Sequence, residues 1–110
     1  MNATAAFHRS VDSGEYGAIY DAAAKGLQAT APRDNLIAFL TRVNRKMGKC
    51  GEAKVVFGGY QATPSGTFVT VTSSRVCVNG KLDEQFVWLA NGGKVALLKY
   101  NANNPLLLTD

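Results

Sequence analysis

Histidine is almost missing from this 110-residue chain, since His8 is its only one. A metal site built on several imidazoles is therefore excluded. Cysteine is scarce as well. Cys50 and Cys77 are too few for a disulfide-rich scaffold, and neither sits in a Cys-x-x-Cys or Cys/His cluster that would hold zinc. Long hydrophobic runs are absent. Stretches such as Val95-Ala96-Leu97-Leu98 and Leu106-Leu107-Leu108 fall far short of the ~20 apolar residues of a membrane-crossing helix. Met1-Asn2-Ala3-Thr4 has no basic stretch leading into an apolar one, so no export signal is read there. Charge of one sign is also limited. Twelve Lys plus Arg against eight Asp plus Glu give a net charge of +4, a mild bias that disfavours nucleic acid as a partner. With 46% hydrophobic and 18% charged residues the chain is not disordered. Its length matches one domain over residues 1–110.

The first half carries helical periodicity. Ala3, Phe7 and Val11 recur at i, i+4, i+8 and predict a short helix that stops near Ser13-Gly14. Tyr16, Ile19, Tyr20, Ala23 and Leu27 predict a second helix, with Asp12 or Ser13 available as its cap. Thr30-Ala31-Pro32 opens a third, whose apolar stripe is Leu36, Leu40, Val43 and Met47, and Gly48 is its natural stop. From Lys54 onward the period becomes two. Residues 54–60 read as a strand with a bulge at Gly58-Gly59, and Thr63-Pro64-Ser65-Gly66 as a turn. In 67–78, Val69 and Val71 lie on one phase and Val76 and Val78 on the other, which predicts a bulge near Ser73-Ser74. Asn79-Gly80 reads as a type I′ hairpin turn, followed by strands over 81–89 and 94–100 joined at Asn91-Gly92-Gly93. Residues 101–110 read as a tail laid on the body. The expected fold class is α+β, three N-terminal helices packed in a curved four-stranded antiparallel sheet.

This layout resembles the cone fold of nuclear transport factor 2 and ketosteroid isomerase, also called cystatin-like. More narrowly, the chain resembles small uncharacterised bacterial envelope proteins of that superfamily. The resemblance rests on Phe7-His8, Gly14-Glu15-Tyr16, Ile19-Tyr20, Val43 with Arg45-Lys46-Met47-Gly48, 66–71, 84–88 and Tyr100-Asn101. These are packing and turn motifs. They imply a fold and a compartment, the periplasm or cell envelope, and no activity. They also imply a helix-to-sheet connection along the sheet edge, which would bring Cys50 and Cys77 within disulfide range. Such a bond suits an oxidising compartment. The alternative is two buried thiols in a cytoplasmic protein.

Enzymes of this superfamily place an acid and a hydrogen-bond donor inside the cone. The nearest ingredients here are Tyr16, Tyr20 and Asp21, a candidate cone pocket. Asp83 and Glu84 lie just past a turn, where acids are normally solvated. His8 is the one side chain with an ordinary pKa near neutrality, but the helical register sets it off the Ala3/Phe7/Val11 face, toward solvent or the helix edge. No catalytic residue, metal ligand or cofactor is assigned. Arg42, Arg45, Lys46 and Lys49, at i, i+3, i+4, i+7, form a candidate anion-binding stripe or a solvated helix face. Phe86, Trp88, Leu98 and Tyr100 share one phase of the last two strands, and Val87, Leu89, Val95 and Leu97 the other. Both phases are thus apolar, and the second needs cover from Leu106-Leu107-Leu108 or from another protein. The expectation drawn is a homodimer through Phe86, Trp88, Leu98 and Tyr100. The function expected is a non-catalytic module that binds a small ligand or an envelope protein. The alternatives are a small cofactor-free enzyme, isomerase- or dehydratase-like, and a structural assembly subunit using the outer sheet face.

Overall fold

A computed structural model describes residues 2–108, apart from the side chain of Asn2. Four helices come first: α1 (Asn2–Asp12), α2 (Tyr16–Asp21), α3 (Lys25–Thr30) and α4 (Arg33–Met47). Four strands follow, β1 (Lys54–Thr63), β2 (Gly66–Cys77), β3 (Gly80–Asn91) and β4 (Lys94–Asn103), and a 3-10 turn over Pro105–Leu108. The sheet is an antiparallel meander in the order β1-β2-β3-β4. The α+β class and the helices-then-sheet layout are as expected.

Three local readings are corrected. The segment expected as one helix over Tyr16–Leu27 is two: α2 ends at Asp21, and Ala24, in extended conformation ahead of α3, donates its N–H to the Leu97 carbonyl on β4 at 2.9 Å. No side chain caps α2: Glu15 occupies the cap position, and Asp12 is engaged elsewhere. The hairpin between β2 and β3 forms, but its two loop residues are Val78 and Asn79, since Cys77 pairs with Gly80. No non-glycine residue described has positive φ, so this turn is not type I′, and Gly80 (φ +142°) opens β3 instead. The next hairpin supplies the twist-matched turn, with Gly92 at φ +59° and Gly93 at φ +80° between Asn91 and Lys94.

The faces of the sheet follow from register. β2 pairs with β3 without interruption from Thr67↔Ala90 to Cys77↔Gly80, so no bulge exists at Ser73-Ser74. One phase of β2, Val71, Ser73, Arg75 and Cys77, is buried throughout, and Val76 points outward, 76% exposed. The apparent slip arose because polar residues occupy inward positions and valines outward ones. Real irregularities lie on the two edge strands. β1 bulges at Gly58, as the sequence suggested, and β4 at Leu98, where Val87↔Lys99 is followed by Trp88↔Leu97.

The helices bury the inward phase of β2, β3 and β4. Phe7, Val11, Ile19, Leu27, Leu36 and Leu40 meet Val71, Phe86, Trp88 and Leu97 in one cluster. A second cluster joins Val43, Met47, Cys77 and Leu82, with Leu107 of the tail packed on it. The tail therefore closes the helix side and does not cover the outer face. Its Thr109 and Asp110 lie outside the described residues.

Candidate functional site

A carboxylate sits at the centre of this buried layer. β3 alternates Leu82, Glu84, Phe86 and Trp88 inward, and Glu84 takes its place in that phase with a side chain only 3% exposed. Its expected solvation is thus overturned by strand parity, and an ionised side chain there requires partners. His8 Nε2 lies 2.7 Å from Glu84 Oε1, the Tyr100 hydroxyl donates a short hydrogen bond to Oε2, and Ser73 Oγ stands 3.5 Å from Oε1. Because a carboxylate only accepts, the Nε2 proton of His8 is directed at Glu84. Burial raises the Tyr100 hydroxyl well above the ordinary phenol value, with the Glu84 charge and their hydrogen bond adding to the rise. Tyr100 is held as a neutral donor.

His8 is buried, contrary to the solvent-facing reading. The inward face of α1 is Thr4, Phe7, His8 and Val11, the i, i+3, i+4, i+7 set, broader than the i, i+4 line read from the sequence. Both polar members of that face reach the sheet: Thr4 Oγ1 accepts from Trp88 Nε1 at 3.2 Å, and His8 binds Glu84.

Arg75 makes a second polar tie nearby. Its guanidinium forks onto Asp12 at 3.0 and 3.3 Å, and its Nε donates to the Gly51 carbonyl at 2.9 Å. The end of α1 is thereby fastened to the loop carrying Cys50, which is disulfide-bonded to Cys77. The bond is the one that the resemblance implies, in place of the alternative of two buried thiols.

The interior beside Glu84 and Tyr100 is filled. Val11, Leu40, Val43, Met47 and Leu82 leave a void of about 10 Å³, room for one water at most. An open groove of about 680 Å³ lies between α1 and the chain entering β1, lined by Ala5, His8, Arg9, Asp12, Glu52, Val55 and Arg75. His8 therefore spans from the buried carboxylate to this groove. No group of His, Cys, Asp and Glu able to hold a metal occurs among the described residues.

The residues proposed as a cone pocket do not converge. The Tyr16 hydroxyl accepts from Asn44 Nδ2 at 2.7 Å and ties α2 to α4. The Tyr20 hydroxyl donates to the Gln28 carbonyl at 3.1 Å and ties α2 to α3. Asp21 is exposed and pairs with Arg33 at 3.2 Å. Asp83 is exposed beside Lys81. The proposed interface is likewise inside the molecule. Phe86 and Trp88 are fully covered, Tyr100 faces the helices, and Leu98, the extra residue of the β4 bulge, is half-buried. The basic stripe loses its fourth member, because α4 ends at Met47 and Gly48 (φ +74°) turns Lys49 out of helical register. Arg45 is exposed, and Arg42 and Lys46 are half-buried.

Sequence reading missed one exposed surface altogether. Val55, Phe57 and Tyr60 stand in register with Ser73, Val71 and Val69, hence on the helix side of the sheet. Yet Phe57 is 62% and Tyr60 72% exposed, with their rings 6.4 Å apart. The chain matches no family model, and no curated protein is a significant match.

Proposed function

We propose that the chain is a non-catalytic interaction module of the bacterial cell envelope, with a nuclear-transport-factor-2-like cone whose interior is closed by its own side chains. One observation carries the reading: the buried polar groups satisfy one another around a void of about 10 Å³, while large apolar side chains stand uncovered on β1. The space beside Glu84 and Tyr100 admits no substrate, and the exposed strip is the kind of surface that proteins use for partners. The Cys50–Cys77 bond is compatible with an oxidising compartment, which supports the envelope over the cytoplasm. No described helix is long and apolar enough to cross a membrane.

A second reading, a small cofactor-free enzyme, draws on His8. Its ring is oriented by Glu84 and lines the open groove, the arrangement a general base needs. It ranks second because that groove is a shallow opening, without the enclosed apolar walls that exclude water from a reacting centre.

The test is site-specific photo-crosslinking in the producing cell, with the photoreactive residue at Phe57 and a control at exposed Glu15. The expected result is a discrete protein adduct from position 57 and none from position 15. Equal labelling, or none at 57, overturns the interaction reading.

A further inference from the structure

The two edges of the sheet differ, and the difference names a partner. At the β4 edge the Leu97 carbonyl already accepts the Ala24 N–H, the strand bulges at Leu98, and Lys94 and Lys99 stand exposed. Coverage, bulges and lysines are the features that keep an edge from pairing. At the β1 edge, no backbone hydrogen bond from outside the sheet reaches residues 54–62 among the described residues. The strand is ten residues long and carries one charge, Lys54 at its start.

We propose that β1 pairs antiparallel with β1 of a second copy of this chain, giving a two-fold dimer with a continuous eight-stranded sheet. The proposal rests on the interaction reading above and names its partner. The sequence of β1 is self-complementary once Gly58 is bulged out, as its pairing with β2 requires. A two-fold axis at Gly59 then sets Phe57 opposite Tyr60 of the second copy, twice by symmetry, with all four rings on the helix side. Val55 faces Ala62, Val56 faces Gln61 and Lys54 faces Thr63. No like charges meet, and cross-strand aromatic pairs are among the favourable ones. Pairing β1 with β4 of another copy would instead bring Lys54 toward an edge carrying Lys94 and Lys99, and would not close. The isologous arrangement is the one that the charges allow.

Area sets the strength. Phe57 and Tyr60 leave about 270 Å² uncovered on each copy at ~200 Å² per aromatic ring. The exposed parts of Val55 and Val56 add about 100 Å². Side chains alone thus supply less than the ~800 Å² per partner of a standard interface, and the paired backbone supplies the rest. The dimer is accordingly weak and concentration-dependent.

Sedimentation equilibrium of the full, oxidised chain from 10 µM to 1 mM tests this directly. The expected result is reversible dimerisation, weakened at least tenfold by Phe57→Glu and by Tyr60→Lys. Both sites are exposed, so both variants fold. Because position 57 faces position 60 of the other copy, mixing the two variants restores a 1:1 dimer. A monomer throughout the range, a dimer indifferent to both substitutions, or no rescue on mixing overturns the proposal. A monomer that still gives a discrete foreign adduct from position 57 in cells removes the second copy as partner while the interaction reading stands.

Discussion

Phe57 and Phe86 belong to one row across the sheet. Register places Phe57 beside Val71, Val71 beside Phe86 and Phe86 beside Tyr100, all facing the helices. Phe86 is wholly buried and Phe57 is 62% exposed. Residue type and strand phase are the same, so neither explains the difference. What differs is the layer above. α1 and α4 lie over β2 and β3, supplying Phe7, Val11 and Leu40 to the core, and the helical layer stops before β1. A strand phase becomes core only where something covers it.

The sharpest way to break that comparison is to truncate each ring. Phe86→Ala removes a side chain with no exposure and rings of Phe7, His8, Trp88 and Tyr100 around it, and should cost about 3–5 kcal/mol. Phe57→Ala at low concentration should cost no more than ~0.5 kcal/mol. Urea unfolding at 5 µM, followed by circular dichroism, reads both. Comparable losses would mean that β1 is covered within the monomer.

The next largest effect concerns the joint between the two halves. Cys50 and Cys77 close a loop of about 28 residues, and by chain-entropy arithmetic the bond contributes roughly 3.6 kcal/mol. The native joint also holds without sulfur. Gly51 N–H donates to the Val76 carbonyl, Val78 N–H to Lys49, and Asn79 N–H to Met47, each at 2.9–3.1 Å. The double Cys50→Ser, Cys77→Ser chain should therefore keep the native fold while losing about 3–4 kcal/mol. Alkylation of the denatured, unreduced wild type should add no reagent to either cysteine. Uptake at both would remove the bond and the support it gives to an oxidising compartment.

The sequence was legible where a single element decides the outcome. The stripe Leu36, Leu40, Val43 and Met47 predicts α4 and its buried face, and Gly48 ends it. The bulge at Gly58 and the meander also follow from local signals. The readings that failed needed a neighbour. Trp88 and Phe86 look like one apolar phase among two, and only the helices decide which phase is inside. The bulge at Leu98 reverses the parity of β4, so Leu97 and Tyr100 face the same side although their spacing is odd. For Glu84 a signal did exist: an acid in phase with Leu82, Phe86 and Trp88 is either a misplaced phase or a buried charge awaiting a partner. His8 supplies that partner from 76 residues away, a distance no local pattern spans.

The last predicted effect lies in the same row, at its far end. The Tyr100 ring is only partly covered, but its hydroxyl is sunk against Glu84, and burial followed by that carboxylate raises its pKa well above 10. In the unfolded chain the phenol returns to about 10. Below that value both states keep the proton, and the stabilisation is fully present. Above it the unfolded chain releases a proton that the folded chain retains, so stability falls as pH rises toward the folded value, by at most ~1.4 kcal/mol per pH unit. Tyr100→Phe loses the hydrogen bond at every pH but no longer carries this proton. Its stability should therefore decline less steeply than that of wild type above pH 10, and the difference between the two should narrow. Contributions common to the two proteins cancel in that difference. Urea midpoints at pH 8, 10 and 11 measure it. Parallel declines would mean that the Tyr100 hydroxyl is solvated in the folded chain and that Glu84 stands without it.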